Sequence, residues 1–171
     1  MKIDDKICGE RIFLRSYDKS DVSFVSGMWF DEENGKYLSD PTHEYIDDVF
    51  QKAFDGIEYC ADGFYFIICL NSGERIGSIS TFPDENNSQY DIGYCIHKDF
   101  WKKGFGTEAV LLLMEWIKQR GGKIVTAEVA SNNVASRKLL ENLGFTVREK
   151  TSFKKYNMDI SFDSYIYEEE L

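Results

Sequence analysis

Hydrophobic and polar positions alternate with two different periods along this chain. Arg11 to Arg15 (RIFLR) alternates residue by residue, as a half-buried strand does. From Ser20 to Phe30, Val22, Val25, Met28 and Trp29 recur at helical spacing, and Ile46, Val49, Phe50 and Ala53 repeat that spacing between Thr42 and Phe54. Runs rich in Tyr, Phe and Ile follow at Phe64 to Leu70, Arg75 to Phe82 and Gln89 to His97, divided by the turn-forming NSGE and PDENNS. These predict an antiparallel meander. Gly104 to Gln119 places Phe105, Ala109, Leu112, Leu113, Trp116 and Ile117 on one stripe and stops at Gly121-Gly122, which predicts a long amphipathic helix. Lys123 to Val129 reads as a strand, Asn133 to Leu143 as a helix ended by Gly144, and Phe145 onward as further strands. Strands followed by strand-helix alternation imply an α+β (mixed α/β) arrangement around a central sheet.

Composition narrows this picture. A length of 171 residues suits one domain, here residues 1–171. With 43% hydrophobic and 15% aromatic residues the chain can build a core. No apolar run approaches the roughly 20 residues a membrane span needs, and the opening MKIDDKICGE lacks the apolar stretch of a signal peptide. The expectation is a cytoplasmic protein without a membrane partner. A net charge of −10 argues against a nucleic-acid partner; it would attract a cationic one, and it equally serves plain solubility. Cys8, Cys60, Cys69 and Cys95 form no CxxC pair, and with His43 and His97 alone no zinc spacing arises, so neither disulfides nor a metal are expected. Cys95 and His97 fall on one strand face, but such neighbours lie roughly 6.5–7 Å apart. That spacing favours a packed cysteine over a thiol-imidazole nucleophile.

One stretch carries chemistry. In WKKGFGTEA (Trp101 to Ala109) a loop leads from a strand into a helix, where unpaired first-turn N–H groups and the helix dipole attract an anion. Gly104 and Gly106 bare the backbone, Thr107 offers a hydroxyl, and Lys102 and Lys103 add charge. A phosphate-bearing ligand is the physical reading, although a loop with a solvated lysine pair would show the same letters. The spacing is neither a Walker A loop nor a dinucleotide fingerprint, because Ala109 stands where a third glycine would be. In the next helix Asn133 is a candidate cap, and Ser136 shares the stripe of Leu139, Leu140 and Leu143, so its hydroxyl needs a partner. That partner is either its own helix backbone or a ligand.

WKKGFGTEA, followed by AEVASNNVASRKLLENLGF, resembles the GNAT family of N-acetyltransferases, in particular the branch of ribosomal-protein N-terminal acetyltransferases, and the resemblance runs from ERIFLRSYDKSD to the final strands. It implies a GNAT-type fold: a mostly antiparallel sheet of six to seven strands with a splayed pair, flanked by about four helices. It also implies acetyl-CoA as donor, pantetheine along Cys95, Ile96 and His97, pyrophosphate on the amides of Lys102, Lys103, Gly104, Phe105, Gly106 and Thr107, and Asn133 and Ser136 beside the thioester. Trp101 stands where many relatives carry Gln or Arg.

For proton transfer the resemblance points to Asp91 as base, a glutamate position in histone-modifying relatives, and to Ser136 as acid. The helix tyrosine of many relatives is Leu140 here, and Lys155 lies near the register where the ribosomal branch places a glutamate base. The acceptor cleft implied lies at the early helices, where Trp29, Phe30, Tyr37 and Tyr45 accompany Asp31, Glu32, Glu33, Asp40, Asp47 and Asp48, a setting suited to a cationic amine. The function implied is acetyl transfer to a primary amine by direct attack, in a monomer or homodimer. The alternatives are a non-catalytic acyl-CoA-binding module on the same fold and a nucleotide-phosphate binder.

Overall fold

Turn chemistry in NSGE and PDENNS folds the central apolar runs back on one another. In the computed structural model, which describes residues 1–39, 48–156 and 158–171, β1 (Ile7–Cys8), β2 (Ile12–Ser16), β3 (Phe64–Leu70), β4 (Arg75–Pro83) and β5 (Gln89–Ile96) pair antiparallel in succession. Between β2 and β3 run α1 (Val22–Trp29) and α2 (Asp48–Ile57). Next, α3 (Phe105–Gln119) leads to β6 (Ile124–Ala130), and α4 (Val134–Asn142) leads to the hairpin of β7 (Thr146–Lys154) and β8 (Ser161–Glu170). The sheet order is β1-β2-β3-β4-β5-β6-β8-β7. Among the described residues it therefore has eight strands where six to seven were expected; the two-residue β1 is too short to show an alternation in the sequence. The helix expected from Thr42 is observed from Asp48, and its earlier part lies outside the described residues.

Alternation along the strands feeds two cores. Ile12, Leu14, Phe66, Ile68 and Ile79 face α3 and α4, packing on Val110, Leu113, Ile117 and Leu140. Phe13, Ile67 and Cys69 point the other way, toward Val22, Val25, Phe30 and Phe54 on the side of α1 and α2. Each such buried side chain contributes about 1.5–3 kcal/mol, which holds helices on both faces. The start of α1 is also tied electrostatically. Asp21 is fully buried and takes a two-pronged bond from Arg15, 2.7 Å on each oxygen, plus one at 3.2 Å from Arg75. Breaking such a buried pair costs about 3–5 kcal/mol. Among the described residues no helix is long and apolar enough to cross a membrane.

An irregularity that shapes the sheet lies between β5 and β6. Their parallel register covers Gln89↔Ile124, Tyr90↔Val125 and Asp91↔Thr126, and then stops. Beyond it β5 stays on β4 as far as Ile96, and β6 stays on β8 as far as Ala130. The two strands therefore splay from Ile92 and Ala127 onward.

Candidate active site

The splay opens a cavity of about 510 Å³ between β5, β6, α3 and α4, roofed by Glu33, Asn34, Tyr37 and Leu38. Peptide groups along a strand point alternately to its two neighbours. The His97 N–H donates to the Ile76 carbonyl at 2.8 Å, on the β4 side, so the peptide groups of Tyr94 and Ile96 turn toward the gap. Cys95 and Ile96 line the cavity; His97 does not, and its Nδ1 instead accepts the Asp99 N–H at 3.3 Å, capping a short turn. The Ile96 carbonyl accepts from Trp101 Nε1 at 2.6 Å and from Asn34 Nδ2 at 3.1 Å. Asn34 also donates to Cys95 Sγ at 3.0 Å and accepts the Lys98 N–H at 2.6 Å. This buried amide was not singled out from the sequence, since its partners lie more than sixty positions away.

At one end of the cavity lies the glycine loop. Lys102 and Gly104 both take positive φ, 59° and 81°, so the chain reverses tightly into α3. The N-cap position of α3, Gly104, provides no side-chain hydrogen bond. The first-turn donors are thus left for another partner, and Gly104, Phe105, Gly106 and Thr107 line the cavity. At Gly106 a Cβ would come within 3.0 Å of Leu139 Cδ1, so an added methyl would push the end of that α4 side chain aside. The two lysines separate: Lys102 lines the cavity, whereas Lys103 Nζ donates to the Asp99 carbonyl at 2.9 Å. A further residue, Arg11, braces the loop. Its Nη1 donates to the Lys103 carbonyl at 2.9 Å, its Nε to Glu108 at 2.8 Å, and its guanidinium lies 4.8 Å from the Phe105 ring centre.

On the far wall, Asn133 Oδ1 accepts the Ser136 N–H at 3.2 Å and so caps α4 as expected. The Ser136 hydroxyl turns away from its own helix to meet Tyr94 Oη at 2.6 Å. Burial pushes the Tyr94 phenol up to about 12, with the Ser136 bond opposing. Leu140 is fully buried in the core.

Carboxylates stand on the other sheet face. Asp91 does not line the cavity; it accepts from Thr126 Oγ1 at 3.0 Å. Burial pushes its carboxyl above the usual range, the Thr126 bond opposes this, and the nearby Glu128 charge adds to it. Glu128, two residues beyond Thr126 on the same strand face, lines the cavity and accepts from Ser164 Oγ at 2.5 Å. The sequence held a signal for it: Glu128 is the one charged residue in the otherwise apolar or small β6 run IVTAEVA. Lys155 is buried, with Nζ donating to the Gly35 carbonyl at 2.8 Å.

The early aromatic and acidic residues divide likewise. Phe30 is core and Trp29 Nε1 donates to Ser78 Oγ at 3.0 Å, neither lining the cavity, while Tyr37 and Glu33 do. Tyr37 Oη donates to the Asn132 carbonyl at 3.3 Å. Asp31 accepts from Lys98 Nζ at 2.9 Å, and its carboxyl is lowered by the Asn34 backbone N–H first and by Lys98 next. Asp40, Tyr45 and Asp47 lie outside the described residues.

Comparison with known proteins agrees with this architecture. Residues 11–146 match the family described as acetyltransferase (GNAT) domain. The uncharacterized N-acetyltransferase p20 of Bacillus licheniformis is 30% identical over 142 residues, covering 80% of this chain and 79% of that protein. Among solved structures, an acetyl transferase of Salmonella typhimurium that modifies the N-terminal serine of ribosomal protein L7/L12 superposes with a TM-score of 0.81 at 18% identity, over 98% of this chain and 99% of that one. Spermidine N-acetyltransferase of Vibrio cholerae, in complex with CoA and spermine, gives 0.80 at 14% identity, over 95% and 96%. At these identities the superpositions establish a shared fold.

Proposed function

The chain belongs to the acetyltransferase (GNAT) family, and on that premise we propose that it moves an acetyl group from acetyl-CoA to a primary amine by direct attack in a ternary complex. The observation that carries this reading is the splay between β5 and β6, with uncapped helix donors at one end and paired hydroxyls and a carboxylate further along.

The residues present suit coenzyme A. The amides of Lys102 to Thr107 would hold the pyrophosphate, since the first turn of α3 opens on the cavity without a side-chain cap. The Tyr94 peptide group and the Ile96 N–H, turned into the gap, would hold the pantetheine, the Ile96 carbonyl being taken by Trp101 and Asn34. Bound there, acetyl-CoA supplies an activated acyl group. A strand N–H on β5 polarises the carbonyl, and Glu128, exposed at the gap and fixed by Ser164, takes the proton of the attacking amine. Asp91, the base expected from the resemblance, stands behind Glu128 beside Thr126, so its proposed part is to add negative charge to the acceptor side. Ser136 faces the leaving sulfur. The cavity roof carries Glu33 and Tyr37, which suits a cationic acceptor such as a peptide N-terminus or a polyamine.

Free-thiol release from acetyl-CoA with peptides, polyamines and aminoglycosides as acceptors tests the reading. At least one amine should be acetylated, and Glu128→Gln should lower kcat by about 10²–10⁴ while leaving CoA affinity unchanged. Tight CoA binding with no thiol release from any acceptor would instead support a non-catalytic acyl-CoA-binding module.

A further inference from the structure

Tyr94 occupies β5 three positions past its last residue paired with β6, and its hydroxyl crosses the gap to the first turn of α4. It lies 2.6 Å from Ser136 Oγ and 3.5 Å from the Ser136 carbonyl oxygen, and both side chains line the cavity. The Ser136 backbone N–H is separately fixed by Asn133. The serine is therefore held at two points by groups from either side.

A hydroxyl has one hydrogen to donate and two lone pairs to accept with. A phenol is protonated at neutral pH, the more so when burial raises it, and it is a stronger acid than a serine hydroxyl, which favours Tyr94 as donor and Ser136 as acceptor in this bond. The serine hydrogen is then free for another acceptor, and accepting a bond makes it a better donor. We propose that Tyr94 is a positioning residue for acetyl transfer: by donating to Ser136 Oγ it aims the serine hydrogen at the sulfur of the acyl donor, a role that rests on the acetyl-transfer reading of this cavity. In the step it serves, the nitrogen–acyl bond forms, the carbon–sulfur bond breaks and its electron pair goes to sulfur. The serine hydrogen bond stabilises that sulfur, and a proton released by the amine completes the thiol.

Tyr94→Phe, Ser136→Ala and the double variant test this, with folding checked by thermal midpoint. Tyr94→Phe should lose about tenfold in kcat with acceptor KM unchanged, Ser136→Ala more, and the double variant no more than Ser136→Ala. Calorimetric binding of CoA and of desulfo-CoA near pH 9, where a thiol ionises, supplies a readout independent of turnover. Wild type should prefer CoA about tenfold, Tyr94→Phe should show a smaller preference, and Ser136→Ala none. An undiminished CoA preference in Tyr94→Phe overturns the proposal, as does a Tyr94→Phe loss that persists at full size without Ser136. If wild type binds CoA yet acetylates no amine, the acetyl-transfer reading fails, while the desulfo-CoA comparison still decides whether Tyr94 acts on Ser136.

Discussion

Asp91 and Glu128 carry the same charge in different surroundings, and that difference governs what each can do. Burial raises the Asp91 pKa despite its bond from Thr126, so folding favours its protonated form. The associated stability is present below the unfolded value of about 3.9 and is lost as pH rises through the folded pKa. Asp91 is solvent-exposed, which screens this cost, so Asp91→Asn should raise the thermal midpoint at pH 7 by less than about 1 °C, with the gain fading near pH 3. A lower midpoint at pH 7 would mean that the Thr126 bond outweighs burial. The resemblance led to Asp91, which stands at the position of a glutamate base in histone-modifying relatives. It could not show that the cavity begins one residue later, at Ile92, so that the carboxylate lining it from the sheet is Glu128 of β6.

At the scale of elements, the glycine loop and α3 were legible because their signals are local: bare backbone at Gly104 and Gly106, then an apolar stripe. What local signals missed is the division of labour between the lysines. Lys102 lines the cavity, whereas Lys103 is spent on the Asp99 carbonyl and packs 5.2 Å from the Phe100 ring centre. Lys102→Ala should weaken CoA binding by about fivefold at low salt, with the loss shrinking at high salt. Lys103→Ala should change it less than twofold; calorimetry at two ionic strengths separates the two, and equal effects would contradict this assignment. Arg11 escaped notice for a related reason. It lies 97 positions from Glu108, and its strand neighbours read only as alternation.

Across the whole molecule, the segment from Asp31 to Ser39 spans the cavity roof and is anchored on both sides of the gap. Asn34 holds the end of β5, Tyr37 reaches the Asn132 carbonyl before α4, and Lys155 donates to the Gly35 carbonyl. On the proposed function, a roof fixed to the donor-side strand would couple acceptor and donor binding. Asn34→Ala should cost about 1–3 kcal/mol of stability by leaving buried partners unmatched, and should raise KM for CoA and amine together in steady-state kinetics. A rise for the amine alone would show that roof and strand act independently. By itself the sequence determined the order of strands and helices, the glycine loop that opens α3 and the capped α4, because each rests on periodicity or turn chemistry within about a dozen residues. Only the tertiary structure decided which hydroxyl meets Ser136, which sheet carboxylate borders the gap and which lysine lines the cavity. Those pairings join residues tens of positions apart, and they exist because β5 and β6 part after Asp91 and leave a space that no short stretch of chain encodes.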